Sequence, residues 1–114
     1  MVLADKLIEL HEMANAIQKY TGISGVVYFS TLEEMTNKQS HSLGRIKLIK
    51  DDEEVSVSIL KDKNDKYKTS GKNKRMIDTL IKFVEINKDL LWEYWNTPKD
   101  EADSAKTMRK FKKV

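Results

Sequence analysis

The sequence predicts a single α+β domain in which an N-terminal helix, a long helix and a short C-terminal helix pack on one face of a three-stranded antiparallel sheet. Two patterns predict this fold. Apolar residues recur at helical spacing near both ends of the chain, and aliphatic residues alternate with polar ones in its middle. A chain of 114 residues can bury one modest hydrophobic core, so residues 1–114 are expected to form one domain.

The first helix and the first strand are predicted on either side of a glycine. Residues 3–20 carry leucine, alanine and isoleucine at 3.6-residue spacing, and Gly22 stands where a helix commonly ends. Residues 25–30 are rich in β-branched and aromatic side chains, which is typical of a strand. A polar loop is predicted from residue 36 to residue 44.

Residues 45–59 give the strongest local prediction, which is a β-hairpin. Isoleucine, leucine and valine alternate with polar residues on both sides of an acidic turn at residues 51–54. If Lys50 pairs with Val55, one face of the sheet carries the aliphatic residues Ile46, Leu48, Val55, Val57 and Ile59. The opposite face then carries Arg45, Lys47, Ser56 and Ser58. A slip of one residue would bury a lysine in the core, so the predicted register is well specified.

The second half of the chain is predicted to hold a loop and two helices. Residues 61–75 contain seven basic residues against two aspartates and predict a solvated loop. Residues 73–96 carry apolar side chains along one helical face and predict a long helix. Thr97 and the proline after it suit the start of a last helix that ends near Phe111. The basic C-terminal end, residues 106–114, is a candidate for a flexible segment.

Composition narrows the classes of function. The chain has no cysteine and only two histidines, which argues against disulfides, thiolate catalysis and a three-histidine metal site, and we expect no cofactor. Its apolar runs are too short to cross a membrane, and the sequence does not open with a basic stretch followed by an apolar one. A cytoplasmic protein without membrane association is therefore predicted. The net charge of +3 only weakly favours anionic partners.

No pattern of residues indicates an enzyme. His41 lies between Ser40 and Ser42, but a nucleophilic serine–histidine pair needs an orienting acid and a geometry that adjacent residues rarely reach. The paired carboxylates stand in predicted turns and helix starts, and the four glycines are too scattered for a phosphate-binding loop. His41 is therefore interpreted as a loop residue, with a binding or structural role as the alternative.

Asn87 interrupts the main apolar face of the long helix. A buried amide that is left unpaired costs about 1–3 kcal/mol, so this side chain needs a partner. We predict that it hydrogen-bonds the loop of residues 37–44, through either the loop backbone or its histidine. Trp95 is then expected to pack against Ile46 or Leu48 of the hairpin. Alternatively, the helix breaks at Asn87, which caps a new helix.

Two surfaces are candidates for binding. A second apolar stripe of Phe83, Ile86 and Leu90 lies beside the core face of the long helix. Trp92 either is an exposed anchor for a partner or is covered by the last helix. The other surface is basic, and it could bind the phosphates of nucleic acid if its residues share one face. Its members are Arg45, Lys47, Lys72, Lys74, Arg75 and the lysines of the C-terminal end.

Two segments of the chain resemble motifs of a known family. Residues 40–48, Ser-His-Ser-Leu-Gly-Arg-Ile-Lys-Leu, resemble a Ser-His-x-x-Arg-Ile-Lys strand entry, and residues 83–96 resemble a closing helix with an Asn…Leu-Leu-x-Tyr-Trp-Asn pattern. The family consists of small bacterial proteins of unknown function, often found in phage-derived or other mobile gene clusters. The resemblance implies a compact α+β domain without established enzymatic activity, and it supplies no catalytic residue. Gly44 stands where the family usually has proline.

The predicted function is a non-enzymatic protein-interaction module, adaptor-like or inhibitor-like, of bacterial or mobile-element origin. One version of this function is self-association into a homo-oligomer through the apolar stripe. The alternative is a nucleic-acid-binding protein that uses the basic strand, loop and tail. The candidate binding residues are His41, Arg45, Lys47, Lys72, Lys74, Arg75, Phe83, Ile86, Asn87, Leu90 and Trp92.

Overall fold

The computed structural model describes residues 13–32 and 42–114. These residues form an antiparallel sheet in the order β1-β2-β3-β4-β5, so each strand lies beside its neighbour in sequence. The strands are β1 (Ala14–Ala16), β2 (Val26–Phe29), β3 (Ile46–Lys50), β4 (Glu53–Lys61) and β5 (Tyr67–Ser70). The helices are α1 (Gln18–Thr21), α2 (Lys74–Trp95) and α3 (Ser104–Lys110). The predicted α+β class with an antiparallel sheet is confirmed, but the predicted number of three strands is wrong.

Side-chain alternation along the strands gives the sheet an apolar face and a polar face. On the apolar face, Val27 of β2 and Leu48 of β3 are fully buried, and they share one hydrophobic core with residues of α2. Phe111, which follows α3, closes this core. Its ring meets the rings of Phe29 and Phe83 edge-on, with centroid distances of 5.2 and 5.1 Å. These aromatic contacts fix the C-terminal end of the chain against both the sheet and the long helix.

The hairpin of β3 and β4 has the predicted faces but not the predicted register. Lys50 pairs with Glu53 and not with Val55, which is a shift of two residues. A shift of two leaves every side chain on its predicted face. The turn is therefore only two residues long, Asp51 and Asp52, and Asp51 has a left-handed φ of 49°. Aspartate tolerates this conformation, which is common in two-residue hairpin turns.

The predicted first helix, residues 3–20, is wrong at Ala14–Ala16, whereas residues 18–20 are helical. Residues 3–12 lie outside the described residues. Ala14–Ala16 form β1 and pair antiparallel with β2. Alanine is a strong helix former, but its small side chain also fits beneath a packed core, and pairing with β2 overrides the local preference. The short helix α1 follows this strand and ends, as predicted, at Gly22, whose φ is 77°.

The predicted loop of residues 61–75 contains the edge strand β5. Tyr67 and Ser70 both pair with residues of β4. The loop prediction is wrong because an aromatic and a β-branched residue, Tyr67 and Thr69, alternate with polar ones and extend the sheet by one strand.

Amide and carboxylate side chains set the starts of the two later helices. Asn73 Oδ1 accepts the N–H of Met76 at 3.1 Å, and its Nδ2 donates to Glu53 Oε2 at 2.6 Å, which ties α2 to the hairpin. Helix α3 begins after Asp103, not after Thr97 as predicted, because the Thr97 hydroxyl donates to a carbonyl of α2 instead. Within the described ranges, no helix is both long and apolar enough to cross a membrane.

A substitution at Gly44 tests the backbone conformation of the loop that precedes β3. Its φ of 71° is left-handed, and a Cβ atom there would lie 2.7 Å from Ile59 Cδ1. Proline, whose φ is locked near −65°, cannot adopt this conformation. Gly44→Ala should lower the free energy of unfolding by about 1–3 kcal/mol, because backbone strain and a close contact are both introduced.

Urea unfolding measures this loss. Ser42→Ala, in the same loop, is the control and should change the free energy of unfolding by about 0.5 kcal/mol or less. An unchanged unfolding midpoint for Gly44→Ala would contradict the left-handed conformation.

Candidate functional site

The face of the sheet opposite α2 is polar and yet partly buried. Lys47 of β3 and Ser56 and Ser58 of β4 lie on this face and are 3–4% exposed. Lys47 Nζ lies 3.9 Å from Glu54 Oε2, so its positive charge is compensated within the protein. A buried ammonium group without such a neighbour would be costly.

A cavity of about 320 Å³ opens on this polar face beside β5. The residues that line it come from the loop before β3, from β4 and from β5. Its polar lining residues are Ser42, Arg45, Ser56, Ser58, Lys68, Thr69 and Ser70. The side chain of Thr69, which pairs with Val57, points to the other face of the sheet. Of the remaining six residues, four carry hydroxyl groups and two carry positive charges, and none of the described lining residues is acidic. Such a lining can donate several hydrogen bonds to an anion.

Three of the hydroxyl groups help to hold β5 on β4. Ser58 Oγ accepts the N–H of Lys68 at 2.9 Å and donates to the carbonyl of Leu60 at 2.7 Å. The pairing of β4 with β5 is irregular here, because Ser58, Ile59 and Leu60 of β4 lie opposite Lys68 alone. The Ser58 hydroxyl takes the place of the backbone carbonyl that would accept this N–H in a regular ladder. The hydroxyls of Ser56 and Ser70 bond to each other, which leaves one of their two hydrogens for a ligand.

The outer side of β5 has no neighbouring strand among the described residues. The N–H of Asp62 donates to the carbonyl of Lys66 at 2.8 Å, and the N–H of Lys68 donates to a serine of β4, so both lysine backbones face β4. Because backbone groups alternate along a strand, the N–H and C=O groups of Tyr67 and Thr69 face away from β4. In the described part of the chain, β5 has a neighbouring strand on one side only.

The side chain of Tyr67 lies next to α2. Lys61 Nζ and Lys88 Nζ stand 5.4 and 5.1 Å from the centre of its ring, at cation–π distance. Its hydroxyl is buried and has no hydrogen-bond partner among the described residues. Ile81 and Trp92 lie on the same flank of α2 as Lys88, and both are half-buried. This flank therefore presents partly exposed apolar surface beside β5.

The apolar stripe predicted on α2 is divided between core and surface. Phe83 is fully buried and is therefore not available to a partner. Leu90 is half-buried against the core, and Ile86 is 43% exposed. Trp92 is half-buried and also packs against the core, so it is intermediate between its two predicted environments. The predicted stripe does not form a continuous exposed surface.

The basic residues predicted for nucleic-acid binding occupy separate parts of the molecule. Arg45 lines the cavity on the polar face, whereas Lys47 is buried on that face. Lys72 and Lys74 are exposed at the start of α2. Arg75 lines a different cavity of about 190 Å³. These residues do not form one binding face.

Asn87 holds the C-terminal end of the chain against α2. Its Nδ2 donates to the carbonyl of Lys112 at 2.9 Å, and its Oδ1 accepts the N–H of the same residue at 2.8 Å. The predicted burial of this side chain is confirmed, but its observed hydrogen-bond partner differs from the predicted one. The predicted partner was the 37–44 loop, and the observed partner is Lys112; His41 lies outside the described residues. A further hydrogen bond joins the Val114 N–H to α1.

The same side chain bends α2. Asn87 has a φ of −121° and a ψ of 16°, outside the helical range. Its Nδ2 also donates to the carbonyl of Phe83 at 3.2 Å. A side-chain donor at this carbonyl competes with the backbone hydrogen bond of a regular helix, which accounts for the kink. The predicted helix break is thus found as a kink. Trp95, beyond it, is buried in the same core as Ile46 and Leu48.

The contribution of β5 to this site was not predicted from the sequence. Lys68, Thr69 and Ser70 lie in the segment predicted as a loop, whereas the polar face of β3 and β4 was predicted correctly. The available signal was the short alternation Tyr-Lys-Thr-Ser ahead of Gly71. Lysine-rich surroundings obscured it, because a high density of charge is more typical of a solvated loop.

Comparisons of the chain with protein-family models, with curated proteins and with solved structures find no match. Among the residues that the structure describes, no group of three or more histidine, cysteine or acidic side chains could hold a metal ion. The function is therefore inferred from the geometry of the cavity, the strand edge and the flank of α2.

Asn87 provides a test of how the C-terminal end is held. Asn87→Leu should lower the free energy of unfolding by about 1–3 kcal/mol, because the backbone groups of Lys112 lose their partners. Hydrogen exchange should show faster exchange of the Lys112 amide. As a control, Asn96→Leu removes an exposed asparagine and should cost about 0.5 kcal/mol or less. Equal exchange of the Lys112 amide in the parent and in Asn87→Leu would contradict this role.

Proposed function

We propose that the chain is a cytoplasmic, non-enzymatic module that binds another protein by pairing an extended segment of that protein with the outer edge of β5. The proposal rests on the backbone groups of Tyr67 and Thr69, which face away from β4. Edge strands with outward N–H and C=O groups are templates for strand addition. An adaptor-like or inhibitor-like role in a bacterium or a mobile element remains part of the proposal.

Side chains on the two faces of β5 would supply specificity. In an added strand, successive side chains point to opposite faces of the sheet. One set would face Tyr67 and the apolar flank that includes Ile81 and Trp92. The other set would face the cavity lined by Arg45 and Lys68. A segment that alternates apolar and anionic residues would complement both faces.

The partner segment is expected to be acidic. Residues 61–75, which surround β5, contain seven basic residues and two acidic ones. Complementary charge accelerates association and discriminates against basic partners. Because these charges are exposed, added salt should weaken the complex.

Nucleic-acid binding is the second candidate function. Lys19, Arg109 and Lys113 line a cavity of about 250 Å³ together with Tyr20, and Lys19 Nζ lies 5.6 Å from the centre of the Tyr20 ring. Aromatic rings among cations are a common surface for stacking single-stranded bases. Of the basic strand, loop and tail that were predicted to bind nucleic acid, only the tail contributes to this cavity.

Thr69 permits a direct test of strand addition. Thr69→Pro removes an N–H that faces away from β4, and an edge strand tolerates proline at such a position. Thr69→Val keeps the N–H and the β-branched shape. Peptides selected from a random displayed library on the nuclease-treated parent should be acidic. They should bind Thr69→Pro about tenfold more weakly than the parent and Thr69→Val within about threefold.

Circular dichroism of both variants checks that they are folded. With a selected peptide, the amide chemical shifts of residues 67–70 should change in the parent. Equal binding to the two variants, or shift changes confined to α3 and the C-terminal end, would remove β5 as the docking strand. Loss of all captured partners on nuclease treatment of a native lysate would favour the second candidate.

A further inference from the structure

We infer that the cavity between α1 and the C-terminal end binds single-stranded nucleic acid, with one base against Tyr20, at the same time as a peptide occupies the β5 edge. The ligand class is that of the second candidate function, and the inference rests on it. It goes beyond the proposed function because the two kinds of binding occur at separate sites of one molecule and are not alternatives.

The C-terminal element carries the excess positive charge of the chain. Residues 104–114 contain five basic residues and no acidic one, and without them the net charge would change from +3 to −2. Lys19, Arg109 and Lys113 are exposed cations that line the cavity, and none of its described lining residues is acidic. Among the described residues, no acidic side chain forms an ion pair with these three cations. Their charge is therefore available to a polyanion.

Packing of the C-terminal end brings its cations next to α1. The ring of Phe111 is buried in the core, and the Val114 N–H donates to the carbonyl of Thr21 at 2.9 Å. At Gly22, which ends α1, an added Cβ atom would lie 3.1 Å from the Cβ of Lys113. The backbone on both sides of the cavity is thus held in place before a ligand binds, which lowers the entropic cost of binding.

The other lining residues favour nucleic acid over an acidic protein. Tyr20 is half-buried and lines the cavity together with Arg109. Nucleobases stack on aromatic rings and on the guanidinium plane of arginine. Lys19 Nζ, which is 5.6 Å from the centre of the Tyr20 ring, can reach the phosphate of a nucleotide whose base contacts that ring. An acidic peptide would use the cations but would gain little from the ring.

The size and the aromatic ring of the cavity favour a single strand. Its volume of about 250 Å³ lies below the roughly 300–1,000 Å³ range of small-ligand sites, so a polymer that makes further contacts outside suits it better than a mononucleotide. In a duplex the bases are stacked on one another and cannot contact Tyr20. A second cavity, lined by Lys110 and Lys112, is less suited to phosphates because Glu85 and Asp89 also line it.

The sheet separates this cavity from the proposed docking strand. Helix α1 follows β1, and β1 and β5 are the first and last strands in the order of the described sheet. Neighbouring strands lie about 4.8 Å apart, so the distance from β1 to β5 is about 19 Å. This distance exceeds the Debye length of about 10 Å at 0.1 M salt. An acidic peptide on β5 and a nucleic acid strand at α1 should therefore bind without strong mutual repulsion.

Three probes separate the base from the phosphates. A labelled oligothymidylate of about ten nucleotides should bind the parent with a Kd of about 10 μM at low salt, by fluorescence anisotropy. An abasic strand of the same length keeps the phosphates and lacks the bases, and a polyglutamate of that length keeps only negative charge. Both should bind about tenfold more weakly. Amide chemical shifts of residues 19–21 and 109–113 should change with the oligothymidylate.

Two matched pairs of variants locate the site. Tyr20→Leu should weaken oligothymidylate binding by about tenfold, whereas Tyr20→Phe keeps the ring and should stay within about twofold of the parent. Arg109→Gln should weaken binding by about fivefold, whereas Lys63→Gln makes the same change in net charge near β5 and should weaken it by less than about twofold. Circular dichroism checks that the variants are folded.

Equal binding of the oligothymidylate and the abasic strand, or equal effects within either pair of variants, would overturn the inference. If the oligothymidylate instead perturbs residues 72–75, nucleic-acid binding stands and this site fails. If no nucleic acid probe binds, the second candidate function fails as well, and strand addition at β5 is still judged by its own peptides.

Simultaneous binding is tested with a peptide that perturbs residues 67–70. At about 0.1 M salt, saturating the parent with this peptide should change the Kd of the oligothymidylate by less than about twofold. Competition between the two ligands would overturn the separation of the sites. A ternary complex that Tyr20→Leu weakens only toward the oligothymidylate, and Thr69→Pro only toward the peptide, supports both sites.

Discussion

The structure depends on β4, because this single strand serves the core and the polar site together. Its valines and Ile59 are buried in the core that it shares with α2. The serines between them lie on the polar face, where they line the cavity. A slip of one residue against β3 would exchange the two sets. The burial of the aliphatic residues therefore fixes where the hydroxyl groups of the site stand.

Asn87 couples two parts of the molecule that are distant in sequence. Its side chain hydrogen-bonds both the N–H and the C=O group of Lys112, as the backbone of a neighbouring strand would. The same amide bonds a carbonyl of α2 and bends the helix. The bend falls between Phe83, which contacts Phe111, and Lys88, which contacts Tyr67. The path of α2 beside β5 is thus set partly by the hydrogen bonds that hold the C-terminal end.

Much of the fold could be predicted because the spacing of apolar residues along the chain indicates which face of a helix or strand is buried. The polar face of β3 and β4, including Arg45, was predicted for this reason. The hairpin register was not predicted correctly, because a shift of two residues keeps every side chain on the same face. Only the turn at Asp51 distinguishes the two registers. Ala14–Ala16 suit a helix or a strand equally well by pattern. The β5 part of the site was missed because its alternation spans only four residues, Tyr67–Ser70, and is surrounded by lysines that are more typical of a solvated loop.

The lysines around β5 also bear on how copies of the chain behave toward one another. Edge strands are the usual starting points of aggregation, since any exposed edge can pair with an identical one. Antiparallel pairing of two β5 edges would bring Lys68 of one copy close to Lys68 of the other, together with their lysine-rich flanks. Like charges on neighbouring strands repel each other. The edge that we propose for docking of an acidic segment is therefore disfavoured from pairing with the same edge of a second copy.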